Sequence, residues 1–131
     1  MPHLSFEYSA GVEQWADMTA FAAALRDAML DTGVFPLGGV RVRGHRADIA
    51  IVADGGAHDF VDISIRLGAG REDAVKAAAA ETIYAAAEAF LKPLAAKRSF
   101  ALSLEMRELD PALSLRRYNT IHAHLRKASK A

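Results

Sequence analysis

DFVDISIRL, residues 59–67, and SFALSLEMR, residues 99–107, are two alternating stretches on either side of a longer segment with an apolar stripe. Alternation with a period of two predicts strands with one buried face. The stripe between them, at helical spacing, predicts a helix from about residue 72 to residue 96. A crossover of this length favours parallel pairing of the strands. The second half of the chain therefore predicts one β-α-β unit.

The first half repeats this order. Residues 3–8 alternate and predict a strand, and an apolar stripe predicts a helix from about residue 17 or 19 to residue 31. Residues 40–53 predict one strand, or two with a break near Gly44. We interpret the two halves as an internal duplication within a single domain, residues 1–131. The units span about 2–57 and 58–110.

The tail, residues 111–131, is basic at its end and lacks a core pattern, so we expect a solvated or loosely docked segment. Two helices can cover only one face of a four-stranded sheet. The other face predicted here is polar and meets either water, a subunit interface or a central channel. Its residues are Ser5, Glu7, Asp62, Ser64, Arg66, Ser103, Glu105 and Arg107.

Composition excludes several classes of protein. The chain is 52% hydrophobic and 24% charged, which is typical of a globular domain. Lys plus Arg equal Asp plus Glu at 16 each, so no overall basic footprint for nucleic acid is present. No cysteine is available for a disulfide, a thiol nucleophile or a zinc–thiolate site. No signal-peptide pattern or membrane-length apolar run occurs, and we expect a cytoplasmic protein with no membrane partner.

Pro2 is the most informative single residue. Aminopeptidases remove an initiator Met when a small residue follows, which would make Pro2 the amino terminus. A free α-amino group has a pKa of about 7.7–8.0, and nearby cations or burial lower it. Such a nitrogen is suited to proton transfer near neutral pH. Many proteins begin Met-Pro, however, so the signal is weak when taken alone.

Two arginines follow glycine-rich segments. Arg41 follows TGVFPLGGV, and Arg71 follows GAG at the start of the long helix. Glycines allow close approach to a ligand, and arginine binds a carboxylate through two parallel hydrogen bonds. The GAGR segment indicates either an anion site or a tight turn with a solvated arginine, and the motif alone favours the turn. The five histidines are scattered, so solvated or structural roles are favoured over a metal site.

Several segments in order resemble the 5-carboxymethyl-2-hydroxymuconate isomerase family of the tautomerase superfamily. They are MPHLSFEYSA, TGVFPLGGVRVR, ADG, IRLGAGR and SFALSLEMREL. The resemblance covers nearly the whole chain and is weakest over residues 12–30 and after about residue 119. It implies an α+β fold in which a double β-α-β subunit forms a four-stranded mixed sheet with two helices on one face. It also implies a homotrimer.

The resemblance further implies a cofactor-independent isomerase in bacterial homoprotocatechuate breakdown. The substrate would be the dienol tricarboxylate 5-carboxymethyl-2-hydroxymuconate and the product 5-oxopent-3-ene-1,2,5-tricarboxylate. By the matching motifs, Pro2 would shuttle the proton, and Arg41 and Arg71 would bind carboxylate or oxyanion groups. Arg43 and His45 are further candidates. The alternatives are a tautomerase for another 2-hydroxydienoate or an arylpyruvate enol, and a catalytically silent trimeric binding module.

Overall fold

A computed structural model describes residues 2–130, the last three of them by backbone alone. Met1, whose removal the proline mechanism requires, lies outside the described residues. The chain forms two β-α-β units and a C-terminal helix. The elements are β1 (His3–Ser9), α1 (Met18–Asp31), β2 (Arg41–Ala47), β3 (Asp59–Gly68), α2 (Asp73–Ala95), β4 (Phe100–Leu109) and α3 (Ile121–Lys130).

The sheet has the order β2-β1-β3-β4. β1 pairs parallel with β2, and β3 pairs parallel with β4. The two units meet through β1 and β3, which are antiparallel. The predicted mixed sheet and parallel pairing within each unit are confirmed. Because β1 and β2 run one way and β3 and β4 the other, the starts of the first pair lie beside the ends of the second.

The core lies between the sheet and helices α1 and α2. Phe6 of β1 meets Phe21 of α1 edge to face, with ring centroids 5.0 Å apart. The inward residues of β3 are almost fully buried, while its alternate residues are exposed. Burying large apolar side chains of this kind contributes about 1.5–3 kcal/mol each. The side chains that the alternating pattern placed on the buried face of the strands therefore form the core.

Local signals fix the helix ends. The Asp17 carboxylate accepts hydrogen bonds from the backbone N–H groups of Thr19 and Ala20, at 3.0 and 3.1 Å, and so caps α1. Gly33 follows α1 with φ of 68°, a left-handed conformation in which glycine is favoured. At the start of α2 the predicted apolar stripe is not fully buried, since Val75 is 39% exposed.

The predicted alternative of a strand break near Gly44 is wrong. β2 runs without interruption from Arg41 to Ala47, so the strand predicted over residues 40–53 also extends too far at its C-terminal end. A Cβ at Gly44 would lie 2.3 Å from Cζ of Phe6, so the glycine leaves room for a core ring. Glycine is required here by close packing and not by a turn.

The tail is more ordered than its composition predicted. It forms a 3-10 turn, Pro111–Leu113, and then α3. α3 contacts the 3-10 turn Leu37–Gly39 that precedes β2. A Cβ at Gly38 would lie 2.2 Å from Nδ1 of His122, so the helix sits directly on this turn. Within the described residues, no helix combines the length and apolar character needed to cross a bilayer.

Candidate active site

Topology brings Pro2, Arg41 and Arg71 to one end of the sheet. Pro2 precedes β1 and Arg41 begins β2, and the Arg41 backbone N–H donates to the Pro2 carbonyl at 3.4 Å. Arg71 follows β3, which runs antiparallel to β1 and therefore ends where β1 starts. Pro2 is buried, and both arginines are partly buried. The three residues that the motifs singled out thus share one edge of the fold.

The Arg71 guanidinium is held in place by the chain around it. One terminal nitrogen donates to the Gly68 carbonyl at 3.2 Å, and the other lies 3.5 Å from the Val34 carbonyl. Its central carbon lies 5.3 Å from the centroid of the Phe35 ring, a cation–π contact. Gly70, with φ of 116°, lies in the bend between β3 and α2. The solvated-turn interpretation of GAGR is therefore wrong for the arginine, although a tight bend is present.

His3 lies between two arginines on the polar face of the sheet. Nη1 of Arg41 is 2.9 Å from its Nε2, and Nη2 of Arg66 is 3.2 Å from its Nδ1. Burial, followed by the charges of Arg41, Arg66 and Arg43, lowers the pKa of His3 from 6.5 to about 4. The imidazole is therefore neutral near pH 7. A neutral imidazole has one acceptor nitrogen, so only one guanidinium donates to it at a time.

Arg43 and His45 lie on the same polar face, further along β2. Strand pairing places Arg43 beside Ser5 and His45 beside Glu7. At about 3.3 Å per residue, His45 is roughly 13 Å along the strand from Arg41. Both side chains are exposed. Within one subunit the structure brings Arg43 nearer to Pro2 and leaves His45 away from it.

The sequence did not predict the contacts of His3 with Arg41 and Arg66. Alternation placed Arg66 on the polar face, but nothing in the sequence fixed which β1 residue it would oppose. The pairing of β1 with β3 sets His3 against Arg66, and the pairing of β1 with β2 sets His3 against Arg41. Among the described residues, no group of three or more His, Cys, Asp or Glu side chains could hold a metal ion.

Comparison with known proteins decides the family. A family model described as 5-carboxymethyl-2-hydroxymuconate isomerase matches residues 2–125. An Escherichia coli 5-carboxymethyl-2-hydroxymuconate Delta-isomerase is 34% identical over 125 residues, covering 94% of this chain and 98% of the relative. The chain belongs to the 5-carboxymethyl-2-hydroxymuconate isomerase family. The predicted enzyme class, an isomerase, is confirmed.

Solved structures agree with this assignment. A crystal structure of a 5-carboxymethyl-2-hydroxymuconate delta-isomerase matches with a TM-score of 0.89 and 33% identity, covering 95% of this chain and 93% of that one. A fused 4-OT described as a symmetric trimer matches with a TM-score of 0.66 and 24% identity, covering 89% and 95%. The second match supports the fold alone. The isomerase family thus has the tautomerase-like architecture predicted from the sequence.

Proposed function

We propose that the chain converts 5-carboxymethyl-2-hydroxymuconate to 5-oxopent-3-ene-1,2,5-tricarboxylate, with the Pro2 nitrogen as the proton shuttle. The observation that carries the proposal is the position of Pro2 at the end of the sheet that Arg41 and Arg71 share. Family membership supports the substrate, and no cofactor enters the proposed step.

The proposed reaction moves one proton and two double bonds. The neutral Pro2 nitrogen accepts the proton of the 2-hydroxyl, and the C–O bond becomes a carbonyl. The double bond at C2 shifts to C3–C4, and the electrons of the former C4–C5 bond take a proton at C5. Pro2 returns that proton, so the amine ends as it began. A nitrogen with a pKa near working pH is efficient in both directions.

Arginines assist in two ways in this scheme. Negative charge builds on the dienol oxygens as the proton leaves, and a fixed guanidinium stabilises that charge without reorganising. Arg71 is suited to this role because carbonyls and a ring already hold it. Positive charge at this end of the sheet also disfavours protonation of the Pro2 amine. Arg41 and Arg71 are the proposed carboxylate or oxyanion binders, and Arg43 is a more distant candidate.

We also propose a homotrimer. A single subunit exposes apolar side chains in the segment after β2 and in the tail, and the polar sheet face is open. Those that line no part of the cleft described below include Ile49, Ile51 and Tyr118. Apolar side chains this exposed favour burial in a partner surface.

The proposal includes a cytoplasmic location, which cell fractionation tests.

An ultraviolet assay of the processed protein with the dienol tests the function. We expect loss of the dienol absorbance and growth of the conjugated ketone at a rate proportional to enzyme concentration. Pro2→Ala leaves a primary amine near the same place, so activity falls without vanishing. A rate no faster than ketonisation in buffer would refute the proposed reaction.

A further inference from the structure

A cleft of about 420 Å³ opens on the polar side of the sheet, at the end where Pro2 lies. One wall is formed by His3, the residue after Pro2, and by Arg66 of β3. The opposite wall comes from the tail. The tail residues on this wall include Asp110, Leu113, Leu115 and Arg116. The cleft is therefore formed jointly by the sheet and a segment to which the sequence assigned no role.

The cations of the cleft lack acidic partners. Arg66 contacts the neutral His3, and within the described residues it forms no ion pair. Arg116 likewise makes no hydrogen bond or ion pair to any described residue. The single carboxylate of the cleft, Asp110, accepts a hydrogen bond from the backbone N–H of Ala112 at 2.9 Å, as the cap of its own turn. The site thus has an excess of positive charge.

Several other arginines of the described chain do have acidic partners. Arg98 pairs with the buried Asp59 at 2.8 Å, and Arg46 pairs with Glu13 and Asp48. Arg107, which neighbours Arg66 across the sheet, pairs with Glu105. Two arginines that form no ion pair, beside a concave surface, are suited to an anionic ligand.

The tail wall is positioned by packing. α3 rests on the turn Leu37–Gly39, which leads directly into Arg41. Leu113 and Leu115 are 84% and 77% exposed, so they present apolar surface beside the two guanidinium groups. A ligand for this cleft therefore combines a carboxylate with a short apolar arm.

We propose that this cleft binds the carboxymethyl arm of the dienol, with Arg66 and Arg116 on its carboxylate and the leucines beside its methylene. The inference rests on the proposed function and deepens it. The substrate carries three carboxylates besides the dienol oxygen, which is more than Arg41 and Arg71 can bind between them. His3 lines the cleft and follows Pro2 directly, and consecutive Cα atoms are about 3.8 Å apart, so the cleft begins one residue from Pro2.

Substrate selectivity is the first test. 2-Hydroxymuconate is the same dienol without the carboxymethyl arm. The ratio of kcat/KM for the tricarboxylate to that for 2-hydroxymuconate should fall about tenfold or more in Arg116→Ala, because a hydrogen bond to a charged group is lost. Arg66→Lys should lower the same ratio, since a lysine cannot bind a carboxylate in two places.

Arg117→Ala is the matched control, because it removes the same charge from the adjacent tail position and does not line the cleft. Its ratio should equal that of the unaltered enzyme. Equal ratios in Arg116→Ala and Arg117→Ala would overturn the inference while leaving the isomerase activity intact. Absence of activity on both dienols would instead refute the proposed function.

Equilibrium binding tests the cleft without turnover. Propane-1,2,3-tricarboxylate carries the carboxymethyl-bearing end of the product, and isobutyrate keeps the branched carbon and its carboxylate but has no carboxymethyl group. Calorimetry of the processed protein should show tighter binding of the tricarboxylate, and Arg116→Ala should remove most of that preference. Equal affinity for the two ligands, or a preference that survives in Arg116→Ala, would overturn the inference.

Discussion

A neutral histidine between two arginines is the most unusual arrangement at the residue scale. His3 separates Arg41 from Arg66, and it adds hydrogen-bonding capacity without a third charge. Its pKa of about 4, against 6.5 in an unfolded chain, means that the folded protein resists protonation of the imidazole. The groups facing it are Arg41 and Arg43 from β2 and Arg66 from β3, with Arg116 and Asp110 across the cleft.

The free energy of unfolding should therefore depend on pH through His3. Between pH 6.5 and about 4 the unfolded chain binds a proton that the folded chain does not, so acidification lowers stability across this window. The free energy of unfolding, measured by urea denaturation, should fall less between pH 7 and pH 5 in His3→Asn than in the unaltered protein. The other histidines are common to both proteins. Equal losses would contradict the assigned environment of His3.

Arg41→Ala and Arg71→Ala should each lower kcat/KM by about 10- to 100-fold, since each removes a hydrogen bond to a charged group worth about 1.5–3 kcal/mol. At least one should lower kcat, because one cation meets charge that develops during the reaction. Steady-state kinetics measure both. Arg26→Ala is the control, as Arg26 pairs with Asp27 on the surface of α1. Unchanged kinetics in both variants would contradict the site.

The same arginines show how far the sequence predicts the site. Pro2, Arg41 and Arg71 were identified from the resemblance and from glycine-rich segments beside them. The neighbours of His3 depend on the register of β1 against β2 and β3, and no hairpin turn joins β1 to either strand. Arg116 lies in a tail with no core periodicity, and only its docking through α3 gives it a position. The neighbours of His3 and the position of Arg116 therefore depend on strand pairing and helix docking, which the spacing of residues along the chain does not predict.

At the scale of elements, alternation and helical spacing predicted β1, β3, β4 and both core helices, whereas β2 was predicted with the wrong C-terminal end. They failed where a glycine serves packing and not a turn. Gly44 predicted a possible break in β2, but the Phe6 ring fills the space where its side chain would lie. They also missed α3, because its mostly polar and basic sequence carries only two large apolar residues, Ile121 and Leu125.

Gly44→Ala should lower the free energy of unfolding by about 1–3 kcal/mol, because its Cβ would collide with Phe6. Chemical denaturation of a double-mutant cycle with Phe6→Leu tests the cause. The smaller side chain should relieve part of the clash and give a coupling energy above about 0.5 kcal/mol. A neutral Gly44→Ala, or strict additivity in the cycle, would contradict the packing described for β2.

At the scale of the whole molecule, one subunit leaves both edge strands, β2 and β4, without outer partners among the described elements. Unpaired strand edges and exposed apolar side chains are typical of surfaces that associate. Sedimentation equilibrium at micromolar concentration should give a mass near three times 14.1 kDa. Ile51→Asp, which places a charge on an 86% exposed apolar position, should weaken assembly. A clean monomer of the unaltered protein would contradict the proposed trimer.

The central claim, that the Pro2 nitrogen carries the proton, is tested most directly by blocking that nitrogen. A glutamate inserted between Met1 and Pro2 should prevent removal of Met1, because the aminopeptidase requires a small following residue, and mass spectrometry verifies the two amino termini. The blocked protein has an amide in place of the amine and should assemble like the processed one. The measurement is the initial rate of dienol isomerisation by each protein at equal concentration. We predict that the blocked protein loses nearly all of the activity, and equal rates would contradict Pro2 as the base.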